Sequence, residues 1–342
     1  MRNRVGGGCG LGVTSGMLGE REIIEAIRAW LEMMPGMPVP FGDDVSAVNL
    51  DRKCVAVLKT DMLVAKTDVP VGMSFWQAGR KAVIMNVSDF ASKGVKPLAA
   101  LVSFGLPGSL PREDVDAIAS GLNAGAREYG AYVVGGDTNE ASDLVIAVFL
   151  FGTAKRGKLM LRSGARVGDI VAVSGFFGKS KAGLRILLDG CKASEELREV
   201  LVSSVFMPHA RLKEGLALAS SSAVSASIDS SDGLAWSLHE LARMSGVGFV
   251  LDNVPVADEV QRFAEFNGLD ALDLALYGGE EYELVVTVKP KLWAKAESAV
   301  ESVEGKLLPI GKVVRDKRVV LKLDGKKRLV EARGWEHFKS KT

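Results

Sequence analysis

The sequence contains few of the side chains that most zinc and nucleophile sites need. It has 3 histidines and 3 cysteines, the latter at Cys9, Cys54 and Cys191. The cysteines are widely spaced and lack the paired spacing of a zinc site, so we interpret them as reduced thiols. A histidine-rich metal centre or a Ser-His-Asp relay would have to be built from few residues. These classes of site therefore lose most of their support.

An excess of charge of one sign is also absent. Lys and Arg total 43 against 42 Asp and Glu, and there is no long basic run. We therefore expect no nucleic-acid partner. The most apolar stretches are interrupted by charge or glycine within about a dozen residues, so no membrane span or membrane partner is predicted. The first residues lack the apolar body of a signal peptide, and we expect a cytoplasmic protein.

The remaining composition is that of an ordinary globular protein, with 47% hydrophobic and 25% charged residues over 342 positions. This length favours two domains. The first half alternates helical spacing, as at 76–93, with β-type runs, as at 144–151, which predicts an α/β domain. A polar, basic stretch at 153–158 follows, after which the pattern again mixes helix and strand. We therefore predict domains at 1–154 and 155–342.

Acidic residues recur in short motifs where apolar runs end. The motifs are Gly42-Asp43-Asp44, Lys59-Thr60-Asp61, Gly135-Gly136-Asp137 and Asp229-Ser230-Ser231-Asp232-Gly233. Asp89 joins them from a predicted helix. Ligands of open α/β sheets bind beyond the carboxyl ends of strands, so these carboxylates could share one site. Each motif alone is more often a turn or a helix cap, and it is their combination that favours a shared site.

A cluster of carboxylates requires cations. Two unit charges about 4 Å apart repel by roughly 4 kcal/mol at an effective dielectric of about 20, so a bare cluster would weaken the fold or take up protons. Oxygen-only ligation suits Mg²⁺, which shares its coordination shell with substrate phosphates, and this favours ATP as its companion. The run at 176–180 ends like a phosphate loop, but Val173 stands where that motif requires glycine. No Walker motif is predicted.

Nine short motifs follow one another along most of the chain. They lie at 42–44, 60–64, 86–89, 97–103, 134–138, 161–166, 229–234, 278–284 and 334–338. Together they resemble, in order, the signatures of the thiamine-monophosphate kinase family. The match runs from about Leu18 to Phe338, which covers nearly the whole chain.

The resemblance implies a fold and a reaction. The fold is the two-domain architecture of aminoimidazole ribonucleotide synthetase, an N-terminal α/β domain followed by a C-terminal α+β domain. The N-terminal domain would bind ATP and Mg²⁺ and form a homodimer. In the implied reaction, ATP phosphorylates thiamine monophosphate by direct in-line transfer, giving thiamine diphosphate and ADP. No protein nucleophile takes part, since phosphoryl transfer needs little covalent help from protein.

The resemblance also implies roles for individual residues. The implied Mg²⁺ ligands are Asp44, Thr60, Asp61, Asp89, Asp137, Asp229 and Asp232. The implied ATP contacts are Gly136, Asp137, Arg162 and Ser231. Glu280 and Trp335 would face the thiamine moiety, because a carboxylate can accept from the aminopyrimidine and an aromatic ring can stack on a flat cationic heterocycle.

Three positions depart from the pattern of the family. Asp68 stands where many members have a histidine, and we take it as a substrate-facing residue. Lys59 stands where a small hydroxyl residue is common, and Glu281 replaces an aspartate beside Glu280.

The residues leave two alternative functions open. One is another ATP-dependent enzyme of the same superfamily, such as a selenophosphate or aminoimidazole ribonucleotide synthetase, and the other is a non-catalytic nucleotide-binding relative.

Overall fold

A computed structural model describes residues 18–323 and 325–338. The chain divides into two units, and the larger is Met37–Gly334. In the smaller, which includes residues 18–36 and 335–338, helix α1 spans Glu20–Arg28. The helical spacing of residues 21–34 predicts a longer helix. The structure ends it at Arg28, and none of its residues is buried, so packing does not extend it.

The first sheet of the larger unit has five strands. They are β1 (Ser46–Asn49), β2 (Cys54–Val64), β3 (Pro97–Leu106), β4 (Tyr132–Glu140) and β5 (Val145–Lys155). Their order in the sheet is β1-β2-β5-β3-β4. Neighbours are antiparallel except β3 and β4, which are parallel. Helix α4 (Arg112–Glu128) supplies the crossover that a parallel pair requires, and α2 (Ala65–Asp68) and α3 (Phe75–Lys93) come between β2 and β3.

Local sequence sets the ends and the packing of helix α3. Ser74 Oγ accepts from the Gln77 N–H at 3.2 Å, and the Gln77 side chain accepts from the Ser74 N–H at 2.9 Å, which forms a capping box. Gly94 follows the last turn with φ 66°. Gly79 of α3 and Gly121 of α4 allow close contact, because a Cβ on either would lie 2.3 Å or 1.9 Å from a backbone oxygen of the other helix.

The second sheet is built from residues after 169. Its strands are β6 (Ile170–Val173), β7 (Val224–Asp229), β8 (Gly248–Leu251), β9 (Leu284–Val288), β10 (Leu308–Val314), β11 (Val319–Leu323) and β12 (Lys326–Leu329). Their order is β12-β11-β8-β10-β6-β9-β7. The accompanying helices are α5 (Lys179–Leu188), α6 (Glu195–Phe206), α7 (Leu212–Ser221), α8 (Leu234–Ser245), α9 (Asp258–Asn267), α10 (Ala271–Tyr277), a 3₁₀ turn (Pro290–Leu292) and α11 (Trp293–Glu301).

Apolar packing joins the two sheets. One cluster that includes Val57, Phe90 and Leu150 packs the first sheet onto α3 and continues to Val286 of β9 and Val300 of α11. A second cluster packs α8 and α10 on the second sheet, and a third lies among α5, α6 and α9. The two sheets therefore share a core. The predicted boundary between residues 154 and 155 stays a prediction.

Other expectations from the sequence concern the cysteines and the membrane. Cys54 and Cys191 are free thiols, and Cys9 lies outside the described residues. Among the helices in the described part of the chain, none has both the length and the apolar character needed to cross a membrane. The cytoplasmic location stays a prediction.

Two acidic motifs lie inside strands rather than after them. Strand β2 continues through Thr60 and Asp61 to Val64, and β4 includes Asp137. Pairing with β5 and β3 extends both strands past the apolar runs on which the prediction rested. The expectation that these motifs follow a strand is therefore wrong, whereas Asp229 is the last residue of β7.

Candidate functional site

Three buried carboxylates from distant parts of the sequence meet in the larger unit. Asp44 precedes β1, Asp89 lies in α3, and Asp229 ends β7. One oxygen of each lies within 4.8 Å of the others, and each residue is at most 6% exposed. Because it offers oxygen ligands alone, this three-carboxylate cluster is a candidate site for a hard divalent cation.

Two serines of α3 hold the other two carboxylates. Ser88 Oγ donates to Asp229 Oδ2 at 2.6 Å, and Ser92 Oγ donates to Asp44 Oδ2 at 2.6 Å. Residues four apart lie on one face of a helix, and Asp89 is next to Ser88 on that helix. Helix α3 therefore fixes the spacing of all three carboxylates.

Two basic side chains neutralise Asp44. Lys93 Nζ lies 2.8 Å from Asp43 Oδ1 and 2.7 Å from Asp44 Oδ2. Arg162 Nε donates to Asp44 Oδ1 at 2.5 Å, and its Nη2 contacts the same oxygen. Burial would raise the pKa of Asp44, but Arg162 and Lys93 outweigh it and lower that pKa to about 2. Asp44 is therefore an anion at any physiological pH.

A third basic side chain joins Asp61 to the cluster. Lys59 Nζ lies 3.0 Å from Asp61 Oδ1 and 2.9 Å from Asp89 Oδ2. The Asp61 N–H also donates to Asn86 Oδ1 of α3 at 2.9 Å. The structure thus brings Asp61 beside the three-carboxylate cluster, with the Lys59 ammonium as the link.

The Asp229 side of the cluster has less positive charge close by than Asp44, which pairs with Lys93 and Arg162, or Asp89, which pairs with Lys59. Burial, followed by repulsion from Asp44, raises the pKa of Asp229 to about 6. Burial also raises the pKa of Asp89 well above its ordinary value, although Lys59 opposes this. The ionised forms of both groups would gain from a further cation. The charge distribution therefore fits a divalent ion at this side of the cluster.

Three of the implied site residues lie elsewhere on the first sheet. Side chains alternate between the two faces along a strand, and paired residues share a face. One row of paired residues crosses the sheet through Met62, Ala147, Ser103 and Asp137. Asp61 comes one residue before Met62, so its side chain points to the face opposite to that of Asp137. Thr60 comes two residues before Met62 and therefore lies on the same face as Asp137. Gly136 packs against β3, where a Cβ would lie 1.8 Å from the Val102 carbonyl oxygen.

The loop after β7 contacts the segment around residue 280. Ser231 is exposed and Asp232 is half-buried. The Ser231 carbonyl accepts from the Glu280 N–H at 2.6 Å. Glu280 has φ 61°, which is uncommon outside glycine, and its Oε1 lies 2.5 Å from Lys81 Nζ of α3. Lys81 also donates to the Asp68 carbonyl at 3.0 Å, so α3 connects this loop with the end of β2.

Two residues expected to face the substrate have other contacts. Asp68 Oδ2 accepts from the Val64 N–H at 2.7 Å, so this carboxylate closes the turn that follows β2. Trp335 belongs to the smaller unit, where its ring meets the His337 ring edge to face at 5.9 Å between centroids. The substrate-facing roles of Asp68 and Trp335 stay predictions.

A cavity of about 360 Å³ lies beside Glu280. Acidic and basic groups line it, among them Arg211, Glu283, Lys179 and Glu281. Arg211 donates to both carboxylate oxygens of Glu283, at 2.9 Å and 2.5 Å. Burial raises the pKa of Glu281 to about 8, so this carboxyl group holds a proton near neutrality. The cavity is polar and large enough for a small organic ligand.

Comparison with known proteins places this chain in a family. Models described as AIR synthase related protein, N-terminal domain and C-terminal domain, match residues 42–154 and 166–324. The chain is 36% identical over 297 residues to the thiamine-monophosphate kinase of Nitrosopumilus maritimus, covering 87% of this chain and 93% of that one. It is 37% identical over 317 residues to that of Pyrococcus horikoshii, covering 92% and 96%. The chain belongs to the thiamine-monophosphate kinase family.

A solved structure supports the fold of this thiamine-monophosphate kinase family member. The structure of AaThiL complexed with AMPPCP and TMP matches with a TM-score of 0.83 and 31% sequence identity, covering 96% of this chain and 100% of that chain. The resemblance indicated by the nine motifs is therefore confirmed. So is the predicted fold class, a two-domain aminoimidazole ribonucleotide synthetase-like fold.

Sequence reasoning missed several side chains that hold the site of this thiamine-monophosphate kinase family member together. They are Lys81, Ser88, Ser92 and Lys93, all buried in α3. A signal for them was present, because Ser88 and Ser92 are four residues apart, as are Asp89 and Lys93. This spacing places polar groups along one face of a helix that is otherwise rich in apolar residues. A buried helix with such a polar face indicates a functional site.

Proposed function

We propose that this chain catalyses the ATP-dependent phosphorylation of thiamine monophosphate to thiamine diphosphate. The three-carboxylate cluster, which is built from motifs of the family, is the observation that carries the proposal. Two relatives at 36% and 37% identity are thiamine-monophosphate kinases, and the related AaThiL is complexed with AMPPCP and TMP. Phosphoryl transfer depends mainly on positioning and charge neutralisation, which such a cluster can provide through bound cations.

The oxygen donors of the cluster fit Mg²⁺. Asp44, Asp89 and Asp229 would hold the ion, since their oxygens converge and a cation would offset the burial and the repulsion from Asp44 that raise the pKa of Asp229. Asp61 stands beside them through Lys59. When bound, the ion neutralises charge between the carboxylates and the phosphates of ATP. The implied ligands that stay predictions are Thr60, Asp61, Asp137 and Asp232.

The basic residues of the chain have different parts in this proposal. Arg162 is anchored on Asp44 and its side chain is 21% exposed, so its guanidinium can also donate to a phosphate oxygen of ATP. Lys93 is fully buried and holds the loop before β1 in place. Gly136 and Ser231 stay predicted ATP contacts. The acceptor phosphate attacks the γ-phosphoryl group in line, and no side chain forms a covalent bond.

The acceptor would bind in the cavity beside Glu280. The Glu280 carboxylate at its wall suits the cationic heterocycle of thiamine monophosphate, and basic residues such as Lys179 and Arg211 suit its phosphate. Lys81 holds Glu280 at this wall through its ion pair of 2.5 Å. Trp335 and Asp68 stay predicted contacts of the acceptor.

We also infer a homodimer formed through the first sheet. Strand β4 lies at an edge of that sheet, and all nine of its residues are exposed. They include Tyr132 and Val134, which are 58% and 65% exposed. An exposed edge strand with apolar side chains is a surface that a second chain commonly covers.

The decisive experiment measures turnover. Incubation with Mg-ATP and thiamine monophosphate should give thiamine diphosphate and ADP in equal amounts, with thiamine and an aminoimidazole ribonucleotide precursor as control acceptors. Phosphorylation of a control acceptor alone would refute thiamine monophosphate as the substrate but would still support a kinase.

A second experiment measures stability. Mg²⁺ with an ATP analogue at hundredfold excess over its Kd should add about 2.7 kcal/mol of stability. An unchanged melting temperature would contradict the nucleotide site.

A further inference from the structure

Lys59 has an unusual position in the acidic cluster. It lies within β2, and its side chain is 19% exposed. Its Nζ is 3.0 Å from Asp61 Oδ1 and 2.9 Å from Asp89 Oδ2. These carboxylates come from a strand and from a helix, and a single ammonium group joins them. Its contacts are therefore those of a bridging cation.

An ammonium group and a divalent ion cannot both occupy the point between Asp61 and Asp89. Bound Mg²⁺ lies about 2.1 Å from its oxygen ligands, so a bridging ion would need the volume that Nζ already fills. The ammonium also supplies positive charge to the same two carboxylates, which weakens their attraction for another cation. Metal binding at this point would require the Lys59 side chain to leave.

The Asp229 side of the cluster differs from the Lys59 side. Asp229 Oδ2 accepts from the Ser88 hydroxyl at 2.6 Å. Among the residues that the structure describes, no Lys, Arg or His forms an ion pair with the Asp229 carboxylate, although Lys59 and Arg162 act on it from a longer distance. Oxygens of Asp44 and Asp89 lie close by. One side of the cluster is thus closed by an internal cation, and the other remains available to an added one.

We propose that Lys59 takes the place of a divalent cation between Asp61 and Asp89, so that metal binds on the Asp229 side alone. The proposal rests on the proposed function in one respect, which is that the acidic cluster binds Mg²⁺. Lys59 is then a positioning residue that keeps Asp61 and Asp89 at a fixed separation. This chain should hold one divalent ion fewer than a variant with a small residue at position 59.

Counting bound Mn²⁺ tests this role without any turnover. Mn²⁺ is a hard ion like Mg²⁺, and electron paramagnetic resonance measures its free concentration. The full chain is titrated without nucleotide as wild type, as Lys59→Ser, and as Lys155→Ser, which removes an exposed lysine from the neighbouring strand β5. Lys59→Ser should bind one more Mn²⁺ per chain, or bind it about tenfold more tightly, because two carboxylates lose their internal cation. Wild type and Lys155→Ser should bind alike.

The outcomes separate this proposal from the proposed function. Equal Mn²⁺ binding by all three proteins overturns the role of Lys59 alone, whereas no binding by any of them overturns the metal site as well. If Lys59→Ser does not fold, anomalous scattering from wild-type crystals soaked in Mn²⁺ decides. A peak beside Asp229 with Lys59 still on Asp61 and Asp89 supports the proposal. A peak between Asp61 and Asp89 with Lys59 displaced overturns it.

Discussion

Replacing Asp229 with asparagine should reduce the dependence of stability on pH. Burial, with repulsion from Asp44, raises the pKa of Asp229 from its ordinary value of 3.8 to about 6. The folded state therefore binds this proton more tightly than the unfolded state does. The resulting stabilisation is fully present below pH 3.8 and is lost as the pH rises through about 6.

The size of the effect follows from the pKa shift. The difference between the folded-state and unfolded-state pKa of Asp229 corresponds to roughly 3 kcal/mol. Roughly 1 kcal/mol of it should disappear between about pH 5 and about pH 7.5, where the folded-state group loses its proton. Asparagine has nearly the same shape and can still accept from the Ser88 hydroxyl, but it does not titrate. Asp229→Asn should therefore lose roughly 1 kcal/mol less stability than wild type over this interval.

Urea denaturation in the presence of EDTA measures this difference directly. Asp252→Asn, which alters an exposed carboxylate just after β8, is the matched control and should follow the wild type. Wild type and Asp229→Asn are compared by the free energy of unfolding that each loses between the lower and the higher pH. If these losses differ by less than about 0.5 kcal/mol, the raised pKa of Asp229 is refuted. Added Mg²⁺ should recover more stability in the wild type than in Asp229→Asn at the higher pH, because the ion compensates the same charge.

Three further variants test the fold and the site. Gly136→Ala should lose about 2 kcal/mol in urea denaturation, because its Cβ would lie 1.8 Å from a backbone oxygen of β3. Gly135→Ala, whose nearest contact would be 3.5 Å away, is the control, and equal midpoints would contradict the strand pairing. Lys81→Met should raise the KM for thiamine monophosphate and cost about 3 kcal/mol of stability, since the ion pair with Glu280 is lost; an unchanged KM would exclude a role in acceptor binding. Asp61→Asn should lower turnover by about a hundredfold or more while circular dichroism shows an intact fold, and a wild-type rate would remove Asp61 from the site.

The amino-acid sequence alone was sufficient to identify the family, the fold class and much of the acidic cluster. Motifs such as Gly42-Asp43-Asp44 and the Asp229 segment are defined by consecutive residue types and by their order along the chain, so they can be recognised without coordinates. The prediction of a helix at 76–93 came within one residue of α3, because the helical spacing and Gly94 at its end are local signals. Treating these separate motifs as one site predicted that their carboxylates lie close together, and those of Asp44, Asp89 and Asp229 do so in the structure.

Only the tertiary structure decided which residues share a face and which cations they meet. Asp61 and Asp137 point to opposite faces of the first sheet because strand register has a period of two and is set by pairing with distant strands. The pairing of Lys59 with Asp61 and Asp89, and of Lys93 with Asp43 and Asp44, depends on how α3 packs between the two sheets. Such contacts join residues far apart in sequence, so local pattern and composition do not specify them.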